Sequence, residues 1–198
     1  MSEWWTYRPS DFLLFAPRTY YRLLELYNTD IWPLQVVALL AGAAILLMIR
    51  HRAVSGGRII AFLLAAWWLW VAYAFQWQRY ATINWAAEYF AVGFALEALL
   101  LIWIGVARDP LRFDSAPPVR SQAGLAIFVV ALTLHPLLQL LFGRDWRQLE
   151  VFGVAPDPTA VATIGVLLAA NRIHWIALPL PLIWCVIGGG TLWLINSA

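Results

Sequence analysis

The sequence predicts an all-α polytopic transmembrane helix bundle of about six spans, preceded by an N-terminal amphipathic helix at the membrane interface. Three observations carry this reading. Of the 198 residues, 63% are hydrophobic and only 12% are charged, whereas soluble domains carry about a quarter charged residues. The apolar residues gather into runs close to the roughly 20 that a helix needs to cross about 30 Å of hydrocarbon. Between the runs lie short turns marked by arginine, glycine and proline, such as "RHRAVSGGR" and "RDPLRFDSAPPVR", and none is a linker leading to a second domain.

Residues 1–30 form a tail and 31–198 a single bundle. In the tail, Tyr20, Leu23, Leu24 and Tyr27 fall at i, i+3, i+4 and i+7, while Arg18, Arg22 and Glu25 take the other face, the spacing of an amphipathic helix. Pro17 suits its first turn, where a missing N–H leaves no helical bond unmade. The helix reads as an interfacial anchor, as such helices rest at the headgroup level, or more sharply as a docking surface for a partner. The leading "MSEWWTYRPSD" lacks the basic-then-apolar order of a cleaved signal peptide, so the first span is expected to direct insertion.

The six apolar runs are 31–49, 59–77, 86–106, 122–142, 158–170 and 174–195. The run 158–170 is the short one, rising only about 20 Å at 1.5 Å per residue. Either the preceding "EVFGVAPDP" completes the passage as irregular backbone, tolerated at membrane depth only under a cover of protein or water, or an ordinary outer loop leads into a longer, tilted helix. Asp157 or Thr159, flanking Pro158, is expected to cap the helix by accepting from its free N–H groups. Pro179 and Pro181 predict a kink in the last run, and Gly188, Gly189 and Gly190 allow bending or close packing there.

The loops after the first, third and fifth runs hold Arg50, Arg52, Arg58, Arg108, Arg112, Arg120 and Arg172, against Arg79, Arg144 and Arg147 in the other two. The positive-inside bias therefore puts both termini outside, although Arg8, Arg18 and Arg22 in the tail narrow the margin. All 13 basic residues are arginine, the codon usage of a GC-rich bacterial genome, and the expected location is a bacterial inner membrane. Of the 13 tryptophans, Trp32, Trp77, Trp85, Trp146 and Trp175 lie near span ends, where an aromatic belt forms. Trp67, Trp68 and Trp70 lie deeper, placed to pack within the bundle or against a hydrophobic cofactor, quinone or partner helix.

In "AVGFALEALLLIWIG", Glu97 stands mid-span, where a charged acid costs several kcal/mol and is a functional suspect by default. Glu88 lies nine residues earlier, and at about 100° per residue the two face opposite sides of the helix, so they form no dyad; Glu88 reads as interfacial. The candidate partners for Glu97 are His135 and Gln139, which share one face of the fourth run at i and i+4. Glu97 then serves either as a neutral acid stapling two helices or, with His135, as a proton-accepting pair lining a path.

Other chemistry is largely excluded. The chain carries no P-loop, dinucleotide fingerprint, HExxH or EF-hand loop. The lone Cys185 allows no intramolecular disulfide. His51 and His174 fall at the inner ends without a third ligand, too few for a metal site, and only His135 lies within the hydrocarbon, against a bis-His haem. The net charge of +2 leaves no nucleic-acid footprint. No metal and no cofactor is identified; the expected partners are the lipid bilayer and other membrane proteins.

The segments "YNTDIWPLQ", "INWAAEYF", "HPLLQLLFG", "FGVAPDPTAVATIGVLL" and "IWCVIGGGT", taken in order, resemble a family of uncharacterised bacterial integral membrane proteins of about six spans, a domain of unknown function. Where the resemblance implies proline after the asparagine, the chain has Trp85 after Asn84; where it implies Cys-Pro-Thr, it has Asp157, Pro158 and Thr159. Glu97 stands where relatives are expected to carry glutamine, a swap that keeps hydrogen bonding but not proton chemistry and so favours the staple. The resemblance implies no activity. The function expected is that of a non-catalytic accessory or scaffold subunit of a larger bacterial membrane complex. The alternative is a small-solute or proton-coupled transporter using Glu97, His135 and the broken fifth helix, with an enzyme third.

Overall fold

The computed structural model describes residues 14–51, 56–108 and 110–197. Among them every regular element is helical: α1 (Pro17–Asp30), α2 (Leu34–Arg50), α3 (Gly56–Thr82), α4 (Ala87–Arg108), α5 (Pro118–Leu141), α6 (Pro156–Ala169) and α7 (Trp175–Ile195). Four of these, α3, α4, α5 and α7, are long and apolar enough to cross a membrane. Of the six runs of the sequence, four thus become helices of spanning length. α2 has 17 residues and meets α1 at a bend of 84°, so that the two together make at most a fifth, broken span. α6 has only 14 residues.

α6 is the centre of the fold. Ten of its residues are buried, including Pro158, Thr159, Thr163 and Gly165. It runs antiparallel to α5, with Gly124 against Ala169 and Phe128 against Gly165. A Cβ on Gly124 would lie 2.5 Å from the Ala169 nitrogen, and one on Gly165 would lie 2.7 Å from the Gly124 oxygen, so only glycine lets these two backbones touch, as small residues do wherever helices pack this closely. At the far end of α6, Arg120 donates to the carbonyls of Ala170 and Asn171, satisfying oxygens that a helix C-terminus leaves free.

The chain enters α6 through residues 150–156, every one of them buried although none but Pro156 is helical. Irregular buried backbone needs partners for its polar groups, and it finds them. The Gly153 N–H donates to Thr159 Oγ1 at 2.8 Å, Thr159 donates to the Ala155 carbonyl at 2.6 Å, and the Val154 carbonyl accepts from Tyr27 at 2.8 Å. Gly153 takes φ +82, a left-handed conformation that disfavours other residues. Ala155 is the N-cap residue of α6 and no side chain caps it. The expected cap by Asp157 or Thr159 is therefore corrected: with Pro156 at the first position there is one N–H fewer to cap, Thr159 serves the loop instead, and Asp157 points elsewhere.

α1 exists over the residues its periodicity implies, and it buries Tyr20, Leu23, Leu24 and Tyr27. That face is occupied by the protein itself: Trp70 Nε1 donates to the Tyr27 hydroxyl at 3.0 Å, and the Tyr27 and Phe75 rings meet edge to face at 5.3 Å. The stripe is therefore unavailable as a docking surface. Of the deep tryptophans, Trp68 donates to Thr163 on α6 at 2.8 Å and its ring lies tilted 4.4 Å from that of Phe94, whereas the buried Trp67 Nε1 has no hydrogen-bond partner among the described residues. Three of the long helices contain π-helical turns, at Val71–Trp77, Trp103–Arg108 and Val130–Leu134. The last immediately precedes the His135–Leu141 segment carrying Pro136, whose ring would collide with the carbonyl four residues back in a tight α-turn; the wider turn relieves that clash.

Candidate functional site

The polar residues of the bundle gather where α5, the 150–156 passage, α6 and α1 converge. Glu150, fully buried at 0% exposure, is the hub. Its Oε1 accepts from the Tyr20 hydroxyl at 2.7 Å; its Oε2 accepts from Gln139 Nε2 at 3.3 Å and from Arg144 at 3.4 Å. Its backbone N–H donates to Gln139 Oε1 at 2.9 Å, and Arg144 donates to the same oxygen at 3.1 Å. Arg144 in turn lies over the Tyr21 ring, 4.9 Å from its centroid. Burial first, and then the adjacent Glu150 carboxylate, holds the Tyr20 phenol well above its ordinary 10.0, so Tyr20 stays a donor.

His135 and Gln139 are brought together as their i, i+4 spacing implies, with Gln139 Nε2 2.9 Å from His135 Nδ1. The amide orientation follows from its partners, because the atom accepting from the Glu150 backbone N–H has to be the oxygen. Gln139 Nε2 is then a donor, His135 Nδ1 accepts, and the proton of the neutral ring sits on Nε2. Glu97 is not brought to them. It is buried at 0% exposure, and neither carboxyl oxygen has a hydrogen-bond partner among the described residues. The expected pairing of Glu97 with His135 and Gln139 is therefore corrected: Glu150, from the loop, takes the place on α5 that the depth argument assigned to Glu97.

Asp157 projects from the first turn of α6 toward this cluster, and Trp184 Nε1 donates to its Oδ1 at 2.7 Å. A Cβ on Gly188 would approach that oxygen to 2.5 Å, so glycine here makes room for the carboxylate. Pro158 and Thr159, the other two residues at the expected break, are buried in α6, and Thr159 bonds the backbone of Gly153 and Ala155. Ligand atoms of His135, Glu150 and Asp157 lie within 4.8 Å of one another, and among the described residues this is the one gathering of three metal-ligand side chains; His51 and His174 belong to none. Protein donors already serve this cluster: Gln139 donates to His135 Nδ1, Tyr20 to Glu150 Oε1, Gln139 and Arg144 to Glu150 Oε2, and Trp184 to Asp157. The cavity beside Asp157, Tyr20, Tyr80 and Trp184 is about 10 Å³, close to the least that admits one water.

Glu150, Arg144, Tyr20 and Trp184 are the site residues that sequence reasoning missed. A signal was present: "EVFGVAPDP" has two acids among apolar residues, glycine and proline, a composition unlike that of an exposed loop.

No curated protein and no solved structure matches this chain. The sequence profile of DUF6064, a family of unknown function, matches residues 18–197, nearly the whole helical bundle and every residue of the buried cluster. The chain belongs to DUF6064.

Proposed function

We propose that this chain is a multi-pass protein of a bacterial inner membrane, with both termini on the outer face, and that it serves as a non-catalytic accessory or scaffold subunit of a larger complex. One observation carries the reading: the buried cluster of Tyr20, Gln139, Arg144 and Glu150 is bonded within itself, and the cavity beside it, about 10 Å³, leaves a substrate no room at that cluster. Such a network orders a core. The outward surface supports membrane placement, with Leu40 and Leu47 of α2, Phe62 of α3, Leu99 of α4 and Val186 of α7 all exposed. Trp32, Trp77, Trp85, Trp146 and Trp175 are exposed near helix ends, as an aromatic belt requires.

Gentle purification of the tagged protein from its native membrane tests this. The expected result is a stoichiometric partner retained through two columns; a monodisperse, partner-free protein that moves solute or protons in liposomes overturns it. One observation favours the second reading, a proton-coupled carrier: Glu97 is buried with no hydrogen-bond partner among the described residues, as a carboxyl waiting to exchange a proton would be. Under that reading Glu97→Gln abolishes pH-dependent uptake in liposomes, whereas under the first it leaves assembly unchanged.

A further inference from the structure

The bend between α1 and α2 opens a groove of about 530 Å³ against the 146–151 segment, lined by none of the residues of the buried cluster's own small cavity. Val36, Leu39, Leu149 and Val151 supply apolar wall, and Asn28, Gln35 and Arg147 supply polar groups. We propose that this groove binds one phospholipid with an anionic, hydroxylated headgroup, one of its acyl chains along the apolar wall and its phosphate at Arg147.

Four features select that occupant. The volume falls within the roughly 300–1,000 Å³ of small-ligand sites. Trp32 and Trp146 flank the groove, each 63% exposed, and tryptophans so placed mark headgroup level, which puts the polar groups where a phosphate lies and the apolar wall where a chain lies.

The charge is also in place. The Arg147 guanidinium rests over the Trp146 ring at 5.2 Å, and no carboxylate among the described residues pairs with it; guanidinium binds phosphate through two parallel hydrogen bonds. Gln35 donates its Nε2 to the Asn28 carbonyl at 2.8 Å, yet its Oε1 is buried with no donor among the described residues. A glycerol or headgroup hydroxyl would supply that donor. Asn28 holds the far wall by donating to the carbonyls of Arg147 and Leu149 at 2.8 and 2.9 Å, so the groove is braced across its polar end.

The inference rests on the membrane placement proposed above and is independent of the scaffold role. The test is native mass spectrometry of the delipidated full chain titrated with phosphatidylglycerol or phosphatidylcholine. We expect one phosphatidylglycerol per chain, held about tenfold more tightly than phosphatidylcholine, in keeping with a charge-assisted contact. Leu39→Trp, which fills the groove, should remove the bound lipid, and Arg147→Gln should erase the headgroup preference while leaving residual binding. Val36→Trp replaces Leu39→Trp should the latter not fold, judged by helicity and unfolding temperature. Retention of the lipid by a folded groove-filling variant, or of the preference by Arg147→Gln, overturns the site. So does a photo-crosslinker at Val36 that captures protein, a second copy included, instead of lipid in living cells. A chain recovered from cells without detergent overturns the membrane reading and the site together, whereas a membrane-inserted chain that holds no lipid overturns the site alone.

Discussion

Gln139 and Glu150 clasp each other in both directions: the Glu150 backbone N–H donates to Gln139 Oε1 at 2.9 Å, and Gln139 Nε2 donates to a Glu150 carboxylate oxygen at 3.3 Å. One side chain on α5 thereby fixes both the backbone and the charge of the passage that leads into α6. Tyr20 and Arg144 complete the carboxylate's shell, which ties α1 to the same point.

Removing the hub should be costly. Glu150→Ala leaves Arg144, Gln139 and Tyr20 without their shared acceptor, and breaking a buried ion pair from one side costs about 3–5 kcal/mol. Thermal unfolding of the purified protein in detergent should show a large fall in midpoint. A midpoint like that of the unaltered protein would mean that the clasp does not hold the fold.

Glu97 should behave in the opposite way. Its carboxyl is buried with no hydrogen bond among the described residues, and relieving an unsatisfied buried group recovers about 1–3 kcal/mol. Glu97→Leu is therefore expected to unfold at or above the temperature of the unaltered chain. A destabilisation comparable to that of Glu150→Ala would reveal a partner that the geometry does not show.

The α5–α6 contact makes a steric prediction. Gly124→Ala and Gly165→Ala each drive a Cβ to within 2.7 Å of backbone, and overpacking of this kind costs about 1–3 kcal/mol or more. Gly189→Ala meets nothing within 4 Å and should stabilise its helix by up to about 1 kcal/mol. Chemical denaturation of the three variants side by side should rank them in that order.

Alkaline pH should weaken the fold partly through Tyr20. Its phenol is held well above 10.0 in the native protein, so as pH rises past 10.0 the unfolded tyrosine loses its proton first. The unfolded state then binds fewer protons than the native one, and stability falls with rising pH. Tyr20→Phe should lower stability at neutral pH by about 1.5–3 kcal/mol, the worth of a hydrogen bond to a charged group, and should flatten the alkaline slope. A slope unchanged by the substitution would exclude Tyr20 as its source.

Much of this was legible in the sequence because helix formation and apolar run length are local properties. The spacing of Tyr20, Leu23, Leu24 and Tyr27 named the buried face of α1, and the i, i+4 spacing of His135 and Gln139 named a true contact. What covers the α1 face was not legible, since a helical stripe looks the same whether lipid, a partner or its own bundle lies against it. Glu97 and Glu150 show the limit more sharply. Depth in the chain made Glu97 the natural partner of His135, but hydropathy measures distance along a helix and says nothing of the direction in which a side chain points. Glu150 sat in a stretch whose turn residues fitted a buried passage and an outer loop alike, and only folding carried it inside beside α5. By itself, then, the sequence determined that the chain is helical, where its long apolar helices lie and which residues share a helix face. Only the tertiary structure decided that short α6 is the centre, that Glu150 rather than Glu97 is the hub, and that the α1–α2 bend leaves a groove, because each depends on contacts between residues that local periodicity cannot relate.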